Sequence, residues 1–220
     1  MFSKPVFSQD LMELKPGADK LLFNKKTGEH KLIGNIHLIY QNNEIYCDSA
    51  SYIKNNNLLK LYGNVHISKH DTLNLYCDSM HYNNQKQIGK LWGHVRVRDR
   101  EFKISTDTLT FDSKQDIATY LDGGKIENIK RKEEITSMCG YFYPKTKNIS
   151  LSKIVDYKSP TTKLVTDTIR FQYSTKRIYF FSPTNIQQKN DTKIYCERGW
   201  MNTETEECFI HQNAIITKPT

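Results

Sequence analysis

A period constrains this chain more than any other feature. "CDSASY" at residues 47–52 returns as "CDSMHY" at 77–82, thirty positions on (78 − 48 = 30). With Asp followed four residues later by an aromatic as the ruler, the pattern recurs at Asp19…Phe23, Asp48…Tyr52, Asp78…Tyr82, Asp107…Phe111 and Asp167…Phe171. Degenerate copies, Cys139…Tyr143 and Glu197…Met201, fill the two gaps. A second marker keeps the same beat half a unit out of phase. It reads Gly34-Asn35-Ile36, Gly63-Asn64-Val65, Gly93-His94-Val95 and Gly124-Lys125-Ile126, then more weakly Ser152-Lys153-Ile154, Thr184-Asn185-Ile186 and Gln212-Asn213-Ala214. Two markers with one period of roughly 30 residues define a repeat protein, in which units stack to bury a face that none can bury alone.

Each unit holds two alternating stretches. In "GHVRVR", Val95 and Val97 face one way while Arg96 and Arg98 face the other; in "TDTLTF", Asp107, Leu109 and Phe111 share a face opposite three Thr. Period-two alternation of β-branched and aromatic residues means strands with one buried face. Turn-forming runs such as "KNNN" (54–57), "DSKQD" (112–116) and "PKTKN" (144–148) separate them. The only hint of a helical stripe is a short piece near "QDLMEL". The expected fold is all-β, with two facing sheets growing unit by unit over residues 18–220 behind an extension at 1–17. At one strand per sheet per unit, seven units give a stack of roughly 30–35 Å. The inner faces take Ile36, Leu38, Val65, Ile67, Val95, Val97 and Ile126 from one strand set. Tyr52, Met80, Tyr82, Leu109, Phe111, Tyr143, Ile169 and Phe171 come from the other.

Composition narrows the partner. Lys+Arg exceed Asp+Glu by 32 − 24 = 8, which favours an anionic one. The opening "MFSKPVFSQDLMEL" lacks the continuous apolar run of a signal peptide, and no run reaches the length of a membrane-spanning helix. Five Cys without a C-x-x-C pair define neither a disulfide framework nor a zinc site.

The alternation of "GNV"-type strands with "A/C-D-S/K-x-x-Y/F" strands resembles the LptA/OstA family of lipopolysaccharide-transport proteins, closest to the OstA-like proteins of the Bacteroidetes. The resemblance runs from Ala18 to Ile216. It implies a twisted β-jellyroll that holds the acyl chains of lipopolysaccharide (its lipid A part) between its sheets. It also implies a location in the periplasm or at the outer membrane. The implied partners are other β-jellyroll transport proteins, or further copies of the chain, joined head to tail through open edges. The fifteen inner-face residues named above are then the lipid-binding set.

Sharper chemistry is weighed against this. A carboxylate recurring at one place in every unit suits a corner hydrogen bond better than an acid/base pair in two distinct environments. His37 and His66 are equivalent outward positions without a third ligand, so no metal or other cofactor is expected. Cys47, Cys77 and Cys196 share one position and suit a small apolar filler. Arg96, Arg98 and Arg100 line an outward face and are the candidate headgroup contacts. Basic residues do not interleave with exposed aromatics on one platform, which argues against nucleic acid. No catalytic constellation emerges. The reading is a non-enzymatic lipid carrier or bridge, with a β-repeat scaffold free of lipid cargo as the alternative; a tightly filled interior favours the scaffold, a separable one the carrier.

Overall fold

The computed structural model describes residues 13–40, 43–69 and 73–219. Among them there is no α-helix; one 3-10 turn, Lys54–Asn56, interrupts an otherwise all-β chain. Of the "QDLMEL" piece, residues 9–12 lie outside the described residues, and Glu13–Leu14 form a short strand (β1) paired with β3. β2 (Lys20–Asn24) precedes six long strands: β3 (Glu29–Tyr40), β4 (Asn43–Ile53), β5 (Leu58–Lys69), β6 (Leu73–Asn83), β7 (Ile88–Arg98) and β8 (Phe102–Asp112). Next come β9 (Ile117–Tyr120), β10 (Gly124–Asn128), β11 (Glu133–Ser137), β12 (Cys139–Tyr143), β13 (Asn148–Lys158) and β14 (Thr162–Gln172). β15 (Arg177–Phe180), β16 (Thr184–Gln188), β17 (Lys193–Cys196), β18 (Arg198–Asn202), β19 (Cys208–His211) and β20 (Ile215–Thr217) complete the chain. All are linked into one antiparallel sheet.

That sheet is folded along its middle, and the two sequence markers make the fold line. Between Ile33 and Ile36 of β3, Gly34-Asn35 is a two-residue bulge opposite the single Asp48 of β4. Gly63-Asn64 bulges opposite Asp48 on one side and Asp78 on the other, and Gly93-His94 opposite Asp78 and Asp107. Extra residues on every second strand bend the sheet and sharpen its twist. The glycines sit at φ +81°, +73° and +73°, the next residues at +44° to +47°. Glycine is required twice over. Besides the left-handed backbone, a Cβ on Gly34, Gly63 or Gly93 would lie 1.9–2.2 Å from the carboxylate of Asp19, Asp48 or Asp78. The carboxylate in turn accepts from the second bulge residue: Asp48 Oδ2 from Asn64 Nδ2 at 3.0 Å, with Asp78 Oδ2 meeting His94 Nδ1 at 2.9 Å. The recurring carboxylate is a corner fitting.

In the later units several strands end at this vertex instead of bending through it, although β13 and β14 still run through, and there the ruler is corrected. The residue opposite the bulge in the fifth unit is Met138, with Cys139 paired to Ser152. Its inner aromatic is therefore Phe142, and Tyr143 falls out of the core cluster. The bulges lie at Asp122-Gly123, Lys153-Ile154 and Ser182-Pro183, not at Gly124, Ser152 and Thr184. Gly124 has a different reason to be glycine. The Tyr120 ring lies over it, 2.7 Å from where a Cβ would be, and Tyr120 donates to or accepts from Ser137 Oγ at 2.8 Å. With these corrections every bulge starts fifteen residues after its vertex residue, from 34 − 19 = 15 through 153 − 138 = 15 to 212 − 197 = 15.

Since the chain crosses the vertex on each traverse, as one long strand or as two short ones, each unit adds two strands to each half of the sheet. The stack is therefore about 60 Å long at ~4.8 Å per strand, twice the length expected from the sequence. We call the half that carries the Asp-to-aromatic segments arm 1 and the other arm 2. Their inner faces meet in one hydrophobic cluster running from Ile36 to Met201.

Candidate functional site

The space between the arms is the candidate site. Of the expected inner-face residues, Ile36, Leu38, Val65, Val95, Leu109, Ile126, Ile169 and Phe171 are buried in the shared cluster. Tyr52, Ile67, Met80, Tyr82, Val97 and Phe111 are half-buried and packed against it. The structure adds residues from the strand halves before the bulge, including Leu61, Leu91, Leu151 and Phe180. Their signal was the alternation in "LLKLYG", "GKLWG" and "RIYF", which runs in phase with the strand beyond the marker.

The rims of the arms face each other, and polar contacts across the opening fix their offset. Tyr40 at the rim of arm 2 meets Asn84 of arm 1 at 3.3 Å. Glu101 receives hydrogen bonds from Lys147 Nζ (3.0 Å) and Tyr173 Oη (2.8 Å). Arg131 reaches Thr203 Oγ1 (3.0 Å) and Glu204 (3.4 Å), and Thr161 donates to Glu206. In these contacts an arm 2 turn opposes an arm 1 turn 44 to 73 residues further on, a consequence of the sheet twist. The offset leaves the first strands of arm 1 uncovered. Leu21 and Phe23, in the inner-facing rows of Leu61 and Tyr52, are 64% and 55% exposed. At the diagonal end Ile216 of arm 2 is 57% exposed.

The site is therefore graded along its length. Toward the C-terminus it is filled: Leu164, Ile169, Ile178 and Phe180 are essentially inaccessible, and the cavity lined by Phe102, Ile126, Asn128, Glu133, Tyr157 and Phe171 holds about 20 Å³, room for one water. Toward the N-terminus buried residues such as Ile36, Leu38 and Leu61 sit beside half-buried Tyr52, Met80 and Tyr82, and the first arm 1 strand leaves Leu21 and Phe23 exposed.

The ties have a pH signature. At Glu101 burial pushes the carboxyl up, but hydrogen bonds from Lys147 and Tyr173 outweigh it and hold the group below its ordinary value. Lys147 is held above its own by the Glu101 hydrogen bond. A depressed carboxyl contributes stability above the unfolded value of about 4.3 and loses it as pH falls through the folded value. Glu133 has the opposite sign, because burial raises it against the pull of Arg131 and acidification relieves its charge. Hydrogen exchange at turns 99–101 and 144–147 should accelerate below about pH 4.3, and Glu101→Gln should remove most of that step. A wild-type rim whose exchange does not respond to acid would exclude the tie as a titrating closure.

The remaining candidates lie on the outer face of arm 2, at its rim or beside the vertex. His37, Tyr46, His66 and Tyr76 stack in that order across four strands on the outer face of arm 2, with centroid separations of 4.4, 5.8 and 4.4 Å. His37 and His66 are thus parted by a tyrosine ring, and among the described residues no group of three His, Cys, Asp or Glu is placed to hold a metal. Arg96 lies over Tyr76 at 5.4 Å, on the same outer face as Arg98, while Arg100 is in the turn at the arm 2 rim. Cys47, Cys77 and Cys196 are free thiols buried beside the vertex. Burial pushes Cys47 up to about 11 and Cys77 up to about 12, the values of inert apolar fillers.

The family of OstA-like proteins matches over residues 14–167, about two-thirds of the chain. The chain belongs to that family. Among solved structures it is similar to LptH, described as the LptA-homologous periplasmic component of the lipopolysaccharide transport device from Pseudomonas aeruginosa. That likeness has 12% identity and a TM-score of 0.32, and covers 67% of this chain and 95% of the other. A comparison with curated proteins finds no match. The OstA-like match ends at Asp167, inside β14, and the same bulge-and-carboxylate corner continues to Glu197, which accepts from Asn213 Nδ2 at 2.7 Å.

Proposed function

We propose that this protein is a non-enzymatic lipid carrier of the lipopolysaccharide-transport type, working in the periplasm or at the outer membrane, with acyl chains lodged between the arms at the N-terminal end. The observation that carries the reading is the row of inner-facing apolar side chains which the arm offset leaves uncovered, Leu21 and Phe23 leading to the half-buried Tyr52, Met80 and Tyr82. A pure scaffold has no use for an apolar interior open at one end, since each exposed ring forgoes burial worth ~1.5–3 kcal/mol. The filled C-terminal half supplies the scaffold that holds the arms together.

The open end also gives a clean test. Leu21→Gln and Phe23→Gln replace exposed residues and should leave the melting transition within ~0.5 kcal/mol of wild type. Photo-crosslinking of lipopolysaccharide to the wild-type trough should fall severalfold in these variants while circular dichroism stays native. Undiminished crosslinking would remove the lipid from this trough.

We further assign head-to-tail association to the two ends of the sheet. Among the described residues β2 pairs only with β3, and β19 and β20 pair only with β18 and β17. Phe209 and Ile215 are more than half exposed there. Such edges accept an added strand from a like partner. Ile215→Lys with Ile216→Lys should shift a concentration-dependent association to higher concentration in sedimentation equilibrium. A wild-type chain that stays monomeric at every concentration and ignores jellyroll partners would end the bridge part of the reading.

A further inference from the structure

The arm 1 rim carries a feature that the carrier reading does not account for. Five successive arm 1 turns each hold an exposed lysine: Lys25 and Lys26, Lys54, Lys86, Lys114 and Lys145. Among the described residues none of these has a carboxylate within ion-pair distance, whereas the lysines of the tied section, Lys147 among them, are engaged with Glu101 and Tyr173. The row ends at the seventh turn, 203–207, which carries Glu204, Glu206 and Glu207 instead. The facing rim is mixed, with Asp99 and Glu101 beside Arg100, and Glu133 beside Arg131. Among the described residues the facing rim also exposes Lys130, Lys132 and Lys189, but toward the C-terminal end; the arm 1 row runs over the less tied N-terminal part, with Asp112 and Asp116 beside Lys114.

Spacing and surroundings give the row a chemistry. Successive arm 1 turns are two strands apart, so the cations recur about every 10 Å. Each turn directly follows the inner aromatic of its own unit: Phe23, Tyr52, Tyr82, Phe111 and Phe142. Along the rim, cation and inward aromatic alternate, the arrangement that suits an amphiphile with a phosphorylated head and an apolar tail. Lysine suits this task as a point charge on a flexible stem that can follow a phosphate without fixing its orientation. Arg96 and Arg98 are poorly placed for it, since they stand on the outer face of the opposite arm.

We propose that Lys54, Lys86 and Lys114 form an anion-binding rim that holds the phosphate groups of the bound amphiphile while its chains lie against Tyr52, Tyr82 and Phe111. The proposal rests on the carrier reading and specifies which rim selects the cargo, and by which charge. The probe is bis-phosphorylated lipid A, compared with the same lipid after its phosphates have been removed, each measured by equilibrium binding to the full chain. The triple variant Lys54→Gln, Lys86→Gln, Lys114→Gln is set against Lys31→Gln, Lys90→Gln, Lys163→Gln, which removes equal charge from exposed outer-face positions.

Wild type should bind the phosphorylated form about tenfold more tightly, the product of three exposed ion pairs. The rim variant should lose that margin and the outer-face variant keep it. Raising salt from about 0.05 to 0.5 M should erase it in wild type. Equal losses in the two variants, or a margin that survives the rim substitutions, would overturn the proposal. If wild type binds both lipids equally, the rim is excluded while the carrier reading stands; if it binds neither, both fall.

Discussion

Phe180→Ala should lower the unfolding free energy by about 3–5 kcal/mol, the usual range for removing a buried ring and leaving a cavity. Phe180 is 1% exposed, packs over Gly199 on the neighbouring strand, and belongs to the cluster shared by both arms. Gly199 leaves no side chain that can swing into the space, so the cavity stays. Thr110→Ala, on the outer face, should cost no more than ~0.5 kcal/mol. Denaturant melts of the two variants measure the difference directly. Equal losses would mean that the inner and outer faces have been exchanged, as a one-residue register slip does.

Gly63→Ala should be nearly as costly, about 2–3 kcal/mol, although it adds a single methyl group. Two penalties coincide at that position. The backbone sits at φ +73°, and the new Cβ would lie 2.2 Å from Asp48 Oδ2 and 2.8 Å from Asp48 Cγ. The second penalty can be relieved separately. Asp48→Ala on the Gly63→Ala background should recover part of the loss, because it removes the clashing carboxylate and leaves the backbone strain and a 2.9 Å approach of the two Cβ atoms. Residues in contact couple in this way. Strictly additive losses in the double variant would show that the Asp-Gly contact does not define the vertex.

The two predictions sample different parts of one design. Phe180 tests the packing that holds the arms together, and Gly63 tests the fold line that makes two arms of one sheet. The proposed lipid binding would draw on the remainder: the aromatic positions that the offset leaves half-buried and the rim above them. On that proposal the filled C-terminal half, where Leu164, Ile169 and Phe180 are at most 1% exposed, holds the arms together while the exposed Leu21 and Phe23 meet the ligand.

Much of this was legible in the sequence because side-chain alternation and turn chemistry are local. Val95 and Val97 against Arg96 and Arg98 fix which face is buried, whatever the rest of the chain does. The Asp and Gly markers announce the repeat since each unit must solve the same corner with the same atoms. Where that solution changes, the reading slips. Met138 replaces the carboxylate, the ruler lands on Cys139, and Tyr143 enters the list in place of Phe142. Gly124 misleads for a related reason, serving the Tyr120 ring and not the bulge.

Other features belong to the tertiary structure alone. Alternation says which residues face inward, but not that the chain crosses the vertex on each traverse and so contributes to both arms. That follows from the bulge pairings between neighbouring strands, and it doubled the length of the stack. Nor does sequence reveal which rim opposes which. The twist accumulated over many strands sets an offset of 44 residues or more between facing turns, from Tyr40 to Asn84 and from Arg131 to Thr203. The sequence determined the repeat, the faces and the corner, because each depends on residues within one unit or its neighbour. Where the trough is open and where it is tied shut depends on a twist summed over the whole sheet, which no single unit encodes.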